Sequence, residues 1–194
     1  MDETIANVIA NVRHAAEEFM KNAKYTANGM LSFESIYDNG FDSENHIMCS
    51  DEVEEFSDEL CSGKKKDKEK VMAIYGWIKE NVCYDYEANP LYQHIDIEKT
   101  LQTKKGICYD YACLFAALCH CQGIPCYVLD GYSRENSSDK HTWNRVFYDG
   151  CWWNLDVTFD AVQYQSGKQM FYGFQQLGLD CLCDDEDYVI TRVY

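Results

Sequence analysis

Near residue 123 the apolar pattern of this 194-residue chain changes its period, and that switch limits the folds open to it. Upstream the spacing is helical. Ile5, Val8, Ile9, Val12, Ala16 and Phe19 predict an amphipathic helix over about residues 3–22. Val71, Ile74, Tyr75, Ile78 and Val82 predict a second over about 68–81, apolar enough to be mostly buried. A third starts at or near Cys108, with Ala112, Phe115, Ala116 and Cys119 on its inner stripe. It stops before Gly123, a good residue for the turn after a helix, with Pro125 behind it. Downstream, CYVLDGY, HTWNRVFY and CWWNLDVT read as strands, and Asp149-Gly150 between the last two is a strong hairpin signal. Between 25 and 60 the periodicity is weak, punctuated by Gly29 and Asn39-Gly40, and predicts loops and short helices. The pattern predicts one α+β domain over 1–194: a helical N-terminal extension (1–60), a core (64–160) with helices ahead of an antiparallel sheet, and a completing segment (161–194).

Composition removes several functional classes. A net charge of −16 opposes nucleic-acid binding, which needs a cationic face. The lysines at 64, 65, 66, 68 and 70 are interrupted by Asp67 and Glu69 and read as a solvated helix start. The carboxylate-rich stretch from Glu34 to Leu60, which has no Lys or Arg, reads as a solvated face. No apolar run reaches the roughly 18–20 residues of a membrane span. The acidic start MDETIANVIANVRHAAEEF lacks the regions of an export signal, so a soluble chain is expected, its compartment and oligomeric state left open. Eleven cysteines leave at least one thiol without an intramolecular partner. A disulfide scaffold is not expected in a chain this long, and no Cys-x-x-Cys pair offers a zinc knuckle; Cys119-His120-Cys121 and Cys181-Leu182-Cys183 have the wrong spacing. No metal and no cofactor is expected, and most of the cysteines read as small buried residues.

One thiol has a different setting. Lys104-Lys105-Gly106-Ile107-Cys108 places Cys108 where a loop enters the third helix. The unpaired N–H groups and positive dipole end there favour a thiolate and can hold an oxyanion. Gly106 gives that entry backbone freedom and room for a substrate. The hairpin supplies a partner independently. With the turn centred on Asp149-Gly150, the numbers of each facing pair sum to 299, so Asp156 falls opposite Trp143 and diagonal to His141. A carboxylate on one imidazole nitrogen leaves the other for a thiol. A three-residue turn would put Asp156 on the other face; Asn154, on the same face, is an alternative orienting group, and Asp156 has the simpler reading of a turn or cap. His14, His46, His94 and His120 have no matching acid and thiol, and Trp143, Trp152, Trp153 and Phe159 read as core.

GICYDYACLFAALCHCQGIPC, then HTWNRVFYDGCWWNLDVTFD, preceded by NVCYDYE, resemble the transglutaminase-like family of papain-like thiol enzymes. The first carries the family's Gly-x-Cys, the second its His-x-Trp-Asn, hairpin and Leu-Asp-x-Thr. The resemblance, from Lys64 to about Asp160, implies a Cys108–His141–Asp156 triad and a cysteine helix packed on an antiparallel sheet. Calcium, used by animal transglutaminases, is not expected at the acidic run around Asp184, which reads as a solvated loop. The implied activity is thiol-dependent cleavage or exchange of amide bonds in a protein or peptide substrate, hydrolysis ahead of transamidation. The alternative is an idle binding module on the same fold.

Overall fold

The computed structural model describes residues 47, 49–88, 96–179 and 186–193. The elements are α1 (Asp51–Cys61), α2 (Asp67–Asn81), β1 (Cys83–Tyr84), α3 (Ile97–Thr103), β2 (Lys105–Gly106), α4 (Cys108–Cys121), β3 (Cys126–Ser133), β4 (Lys140–Tyr148), β5 (Cys151–Leu155), α5 (Val157–Gln165), β6 (Phe174–Gly178) and β7 (Tyr188–Val193). The helix expected over 3–22 lies outside the described residues.

α4 is the hub. Tyr111, Leu114, Phe115 and Leu118 on it have no solvent exposure, and α1, α2, α3, β3 and β4 all pack on it. Burying each such side chain stabilises the fold by roughly 1.5–3 kcal/mol, which explains why the helix is apolar nearly all round. Polar ties fix its position as well as its depth. The Asn144 amide on β4 donates to the Ala112 carbonyl of α4 (3.0 Å) and to the Tyr127 carbonyl of β3 (3.1 Å). The Ser57 hydroxyl on α1 donates to the Leu118 carbonyl (2.9 Å), and the Tyr111 hydroxyl to the Val82 carbonyl.

A five-stranded antiparallel sheet, ordered β6-β5-β4-β3-β7, stands against α4. β4 and β5 pair Tyr148 with Cys151, Phe147 with Trp152, Val146 with Trp153, Arg145 with Asn154 and Asn144 with Leu155, which is the register the Asp-Gly turn predicts. Asp149 and Gly150 both have positive φ, 52° and 78°, as the tight turn requires. The expected strand CWWNLDVT is shorter than its pattern: the ladder ends at Leu155, and Val157 already belongs to α5. Asp156 therefore sits one residue beyond the ladder. It leaves the strand because its side chain accepts the Phe159 N–H and starts a helix.

Two further features complete the core. α1 rises out of the weakly patterned stretch, with Ser50 as its N-cap and Asp51, Glu52 and Glu54 in its first turn, so its signal lies in capping and charge. Cys49 and Cys121 form a disulfide that ties the lead-in to α1 to the last residue of α4. The sheet is completed at both edges by strands from the C-terminal segment, β6 against β5 and β7 against β3.

Candidate active site

Cys108 is the first residue of α4, part-exposed, while every residue from Asp110 to Cys121 is buried. The helix is entered through β2, which pairs with β1 in parallel so that Tyr84 lies beside Gly106. Asp110 folds back over that entry, and its carboxylate accepts the Ile107 N–H at 2.8 Å. A Cβ on Gly106 would stand 2.6 Å from the Cβ of Asp110. The space that Gly106 leaves is thus filled by Asp110, a correction to the expectation that it is kept for substrate.

His141 comes from β4 and Asp156 from the N-terminus of α5, and the two meet at 2.6 Å through Nε2 and Oδ2. Asp156 has no side-chain exposure and His141 keeps 19%. With Nε2 engaged, Nδ1 is the ring nitrogen left for a thiol, and Cys108 is close enough to act on the charge of the ring. Burial works against a charged imidazole here, but Asp156 and then Cys108 outweigh it, and the His141 pKa is pushed up to about 10. The other carboxylate oxygen of Asp156 takes the Phe159 N–H at 2.8 Å, so one side chain both caps a helix and orients a histidine. All three residues expected from the sequence converge.

Asn154, the alternative orienting group, has other partners. Its carbonyl accepts the Trp143 Nε1–H (3.1 Å) and the Arg145 Nε–H (3.2 Å), and its amide donates to the Tyr172 hydroxyl (2.7 Å). It braces the floor under His141. The Trp143 ring lies nearly parallel to the imidazole, 8° between planes with centroids 6.3 Å apart, so this core residue also walls the site. His120 is buried at the far end of α4 with Nε2 2.7 Å from the Cys126 carbonyl, and burial pushes its pKa down to about 4.

The motifs did not point to Tyr188. Its hydroxyl donates to Asp156 Oδ2 at 3.1 Å, and its ring tilts against His141 (5.1 Å) and Trp143 (4.7 Å). A YVITRV run signals a strand, but nothing in it says which sheet edge it joins. Among the described residues no group of three or more His, Cys, Asp or Glu side chains is arranged to hold a metal ion, and no helix is long and apolar enough to cross a membrane.

The stretch that carries Cys108, His141 and Asp156 falls within a known family. The model of the transglutaminase-like superfamily matches residues 54–157, which hold all three of these side chains. The chain belongs to that superfamily. Kyphoscoliosis peptidase of Mus musculus is 29% identical over 133 residues, covering 61% of this chain and 20% of that protein. Lim and transglutaminase domain protein ltd-1 of Caenorhabditis elegans is 32% identical over 143 residues, covering 63% of this chain and 19% of that protein. The chain spans about a fifth of the length of these curated relatives. The periplasmic domain of TgpA from Pseudomonas aeruginosa superposes with a TM-score of 0.52 at 18% identity, over 79% of this chain and 51% of that one. A Cytophaga hutchinsonii structure superposes with a TM-score of 0.50 at 21% identity, over 84% of this chain and 58% of that one. The transglutaminase-like fold is common to them.

Proposed function

We propose that the chain is a thiol enzyme that hydrolyses a peptide or isopeptide-like amide, with Cys108 as nucleophile, His141 as proton carrier and Asp156 as its orienting group. The observation that carries this reading is a part-exposed helix-start thiol that neighbours His141, itself held by a buried carboxylate at 2.6 Å. The Cys108 sulfur attacks the carbonyl carbon, and the first-turn N–H groups of α4 hold the oxyanion that forms. The C–N bond then breaks as His141 hands its proton to the leaving amine, and a thioester remains on Cys108. Water attacks that thioester, His141 takes its proton, and the acid leaves as the thiol is restored.

The name of the murine relative, a peptidase, favours water over an amine as the second acceptor. The test is product analysis by mass spectrometry on a varied peptide mixture, with and without a primary amine. Cleaved peptides, unchanged in yield by the amine, are the expected result. Amine adducts would replace hydrolysis by transamidation. No product from protein with a free Cys108 thiol would leave an idle binding module. Cys108→Ala abolishes turnover in the same assay while leaving the melting temperature nearly unchanged.

A further inference from the structure

Asp156 is fully buried, and its Oδ2 receives two donors whose rings lie against each other: His141 Nε2 at 2.6 Å and the Tyr188 hydroxyl at 3.1 Å. β7, which carries Tyr188, is an edge strand, and its approach is built into the sheet. A Cβ on Gly131 of β3 would stand 2.0 Å from the Val189 carbonyl and 2.8 Å from the Trp143 ring. Only a residue without a side chain lets β7 lie this close over Trp143. The β3–β7 register shifts at Asp130/Gly131, next to this contact. Thr191 fastens the same strand from outside, its hydroxyl donating to the Asp130 carbonyl at 3.1 Å.

We infer that Tyr188 is a positioning residue of the proposed reaction, holding the Asp156 carboxylate from the side away from the helix cap and sharing with His141 the oxygen that sets the basicity of the imidazole. This rests on the proposed thiol chemistry. A carboxylate oxygen that donates its lone pairs to two partners attracts each less than it would one alone. Tyr188 thus moderates the hold of Asp156 on the His141 proton, so that the proton can be released to a leaving group. The other titratable groups that face this cluster are Cys108 from α4, Asp160 one turn along α5 with Tyr75 of α2 against it, and Tyr172 and Asp187 beside Tyr188.

The experiment uses the full chain and iodoacetamide, following Cys108 alkylation against pH by peptide mapping. In the wild type the rate changes in a step at alkaline pH where the imidazolium is lost. Tyr188→Phe keeps the ring and removes the hydroxyl, and it moves that step upward by about 0.5 pH unit. Gly131→Ala, which backs β7 away, moves it the same way. Thr191→Val removes one exposed hydroxyl bond of β7, keeps the Gly131 contact that seats the strand, and leaves the step in place. In an Asp156→Asn background the Tyr188→Phe shift vanishes, because the effect passes through the carboxylate. An unmoved step in folded Tyr188→Phe, an equal shift in the Asp156→Asn background, or a shift copied by Thr191→Val would overturn the inference. A wild type in which Cys108 is not preferentially alkylated, or shows no alkaline step, sinks the thiol-enzyme reading itself, and the role of Tyr188 goes with it.

Discussion

The two ends of α4 carry the same residue type in opposite circumstances. At its N-terminus Cys108 is part-exposed, at the positive end of the helix dipole and beside a charged histidine. Thirteen residues on, Cys121 is joined to Cys49, and Cys119 packs against Cys126 with no exposure at all. Burial pushes the Cys113 and Cys119 thiols well up, and the neighbouring Cys126 pushes Cys119 further. The histidines divide in the same way: His141 near the first end is raised to about 10, and His120 at the other is lowered to about 4. One helix thus holds a part-exposed thiol at one end and buried or paired thiols at the other, and the proposed chemistry needs only the first.

The largest expected effect tests that division directly. At neutral pH, limiting iodoacetamide alkylates Cys108 at least about a hundredfold faster than Cys113 or Cys119, which react only when the core opens. Peptide mapping that finds a core cysteine labelled first would erase the contrast. Next come Asn154 in the hairpin and Asp156 just beyond it. Asp156→Asn lowers turnover by on the order of a hundredfold, less than loss of the thiol, and keeps the fold because Asn also caps helices well. Asn154→Ala strands the Trp143 and Arg145 donors and costs about 1–3 kcal/mol in a denaturant titration, with turnover of the folded fraction much less affected. Equal losses of turnover in the two variants would show that Asn154, too, acts on the chemistry.

A smaller effect sharpens the histidine contrast. His141 is raised in the folded state, so its contribution to stability is complete below about pH 6.5 and is lost as pH rises through about 10. His120 is lowered, so its contribution is complete above about pH 6.5 and is lost as pH falls through about 4. Urea midpoints against pH should therefore decline on both sides, and Asp156→Asn should flatten the alkaline decline alone. The smallest effect on the site is expected from the far end of α4. Reducing Cys49–Cys121, separated by 72 residues, removes a constraint worth about 2–4 kcal/mol and leaves the Cys108 alkylation rate within about twofold.

How much of this was legible follows how local each determinant is. The β4–β5 register was readable because a two-residue Asp-Gly turn fixes it, and with it the neighbourhood of His141 and Asp156. α2 and α4 were readable to within a residue from their apolar spacing and from Gly106 and Gly123. The end of β5 was not, because WNLDVT alternates like a strand, and only the capping bond of Asp156 turns it into a helix start. α1 was legible only as one of the short helices expected before residue 60, and α3 was hidden, because their signals are caps, at Ser50 and Asp96, rather than stripes. β7 and the Cys49–Cys121 link are contacts between distant segments, and no local pattern encodes which edge or which thiol is met.

The two oxygens of Asp156 give this position an unusual place in the chain's future. A lineage that stopped using its chemistry would be free to discard Cys108, where a small residue suffices for the helix to begin. Position 156 would not be released with it, because α5 still needs the Phe159 N–H in its first turn covered, and Asp or Asn would be retained for that alone. In a descendant, an acid at this site would testify only that the helix still starts there. The thiol at 108 is the residue whose disappearance would date the end of the proposed activity.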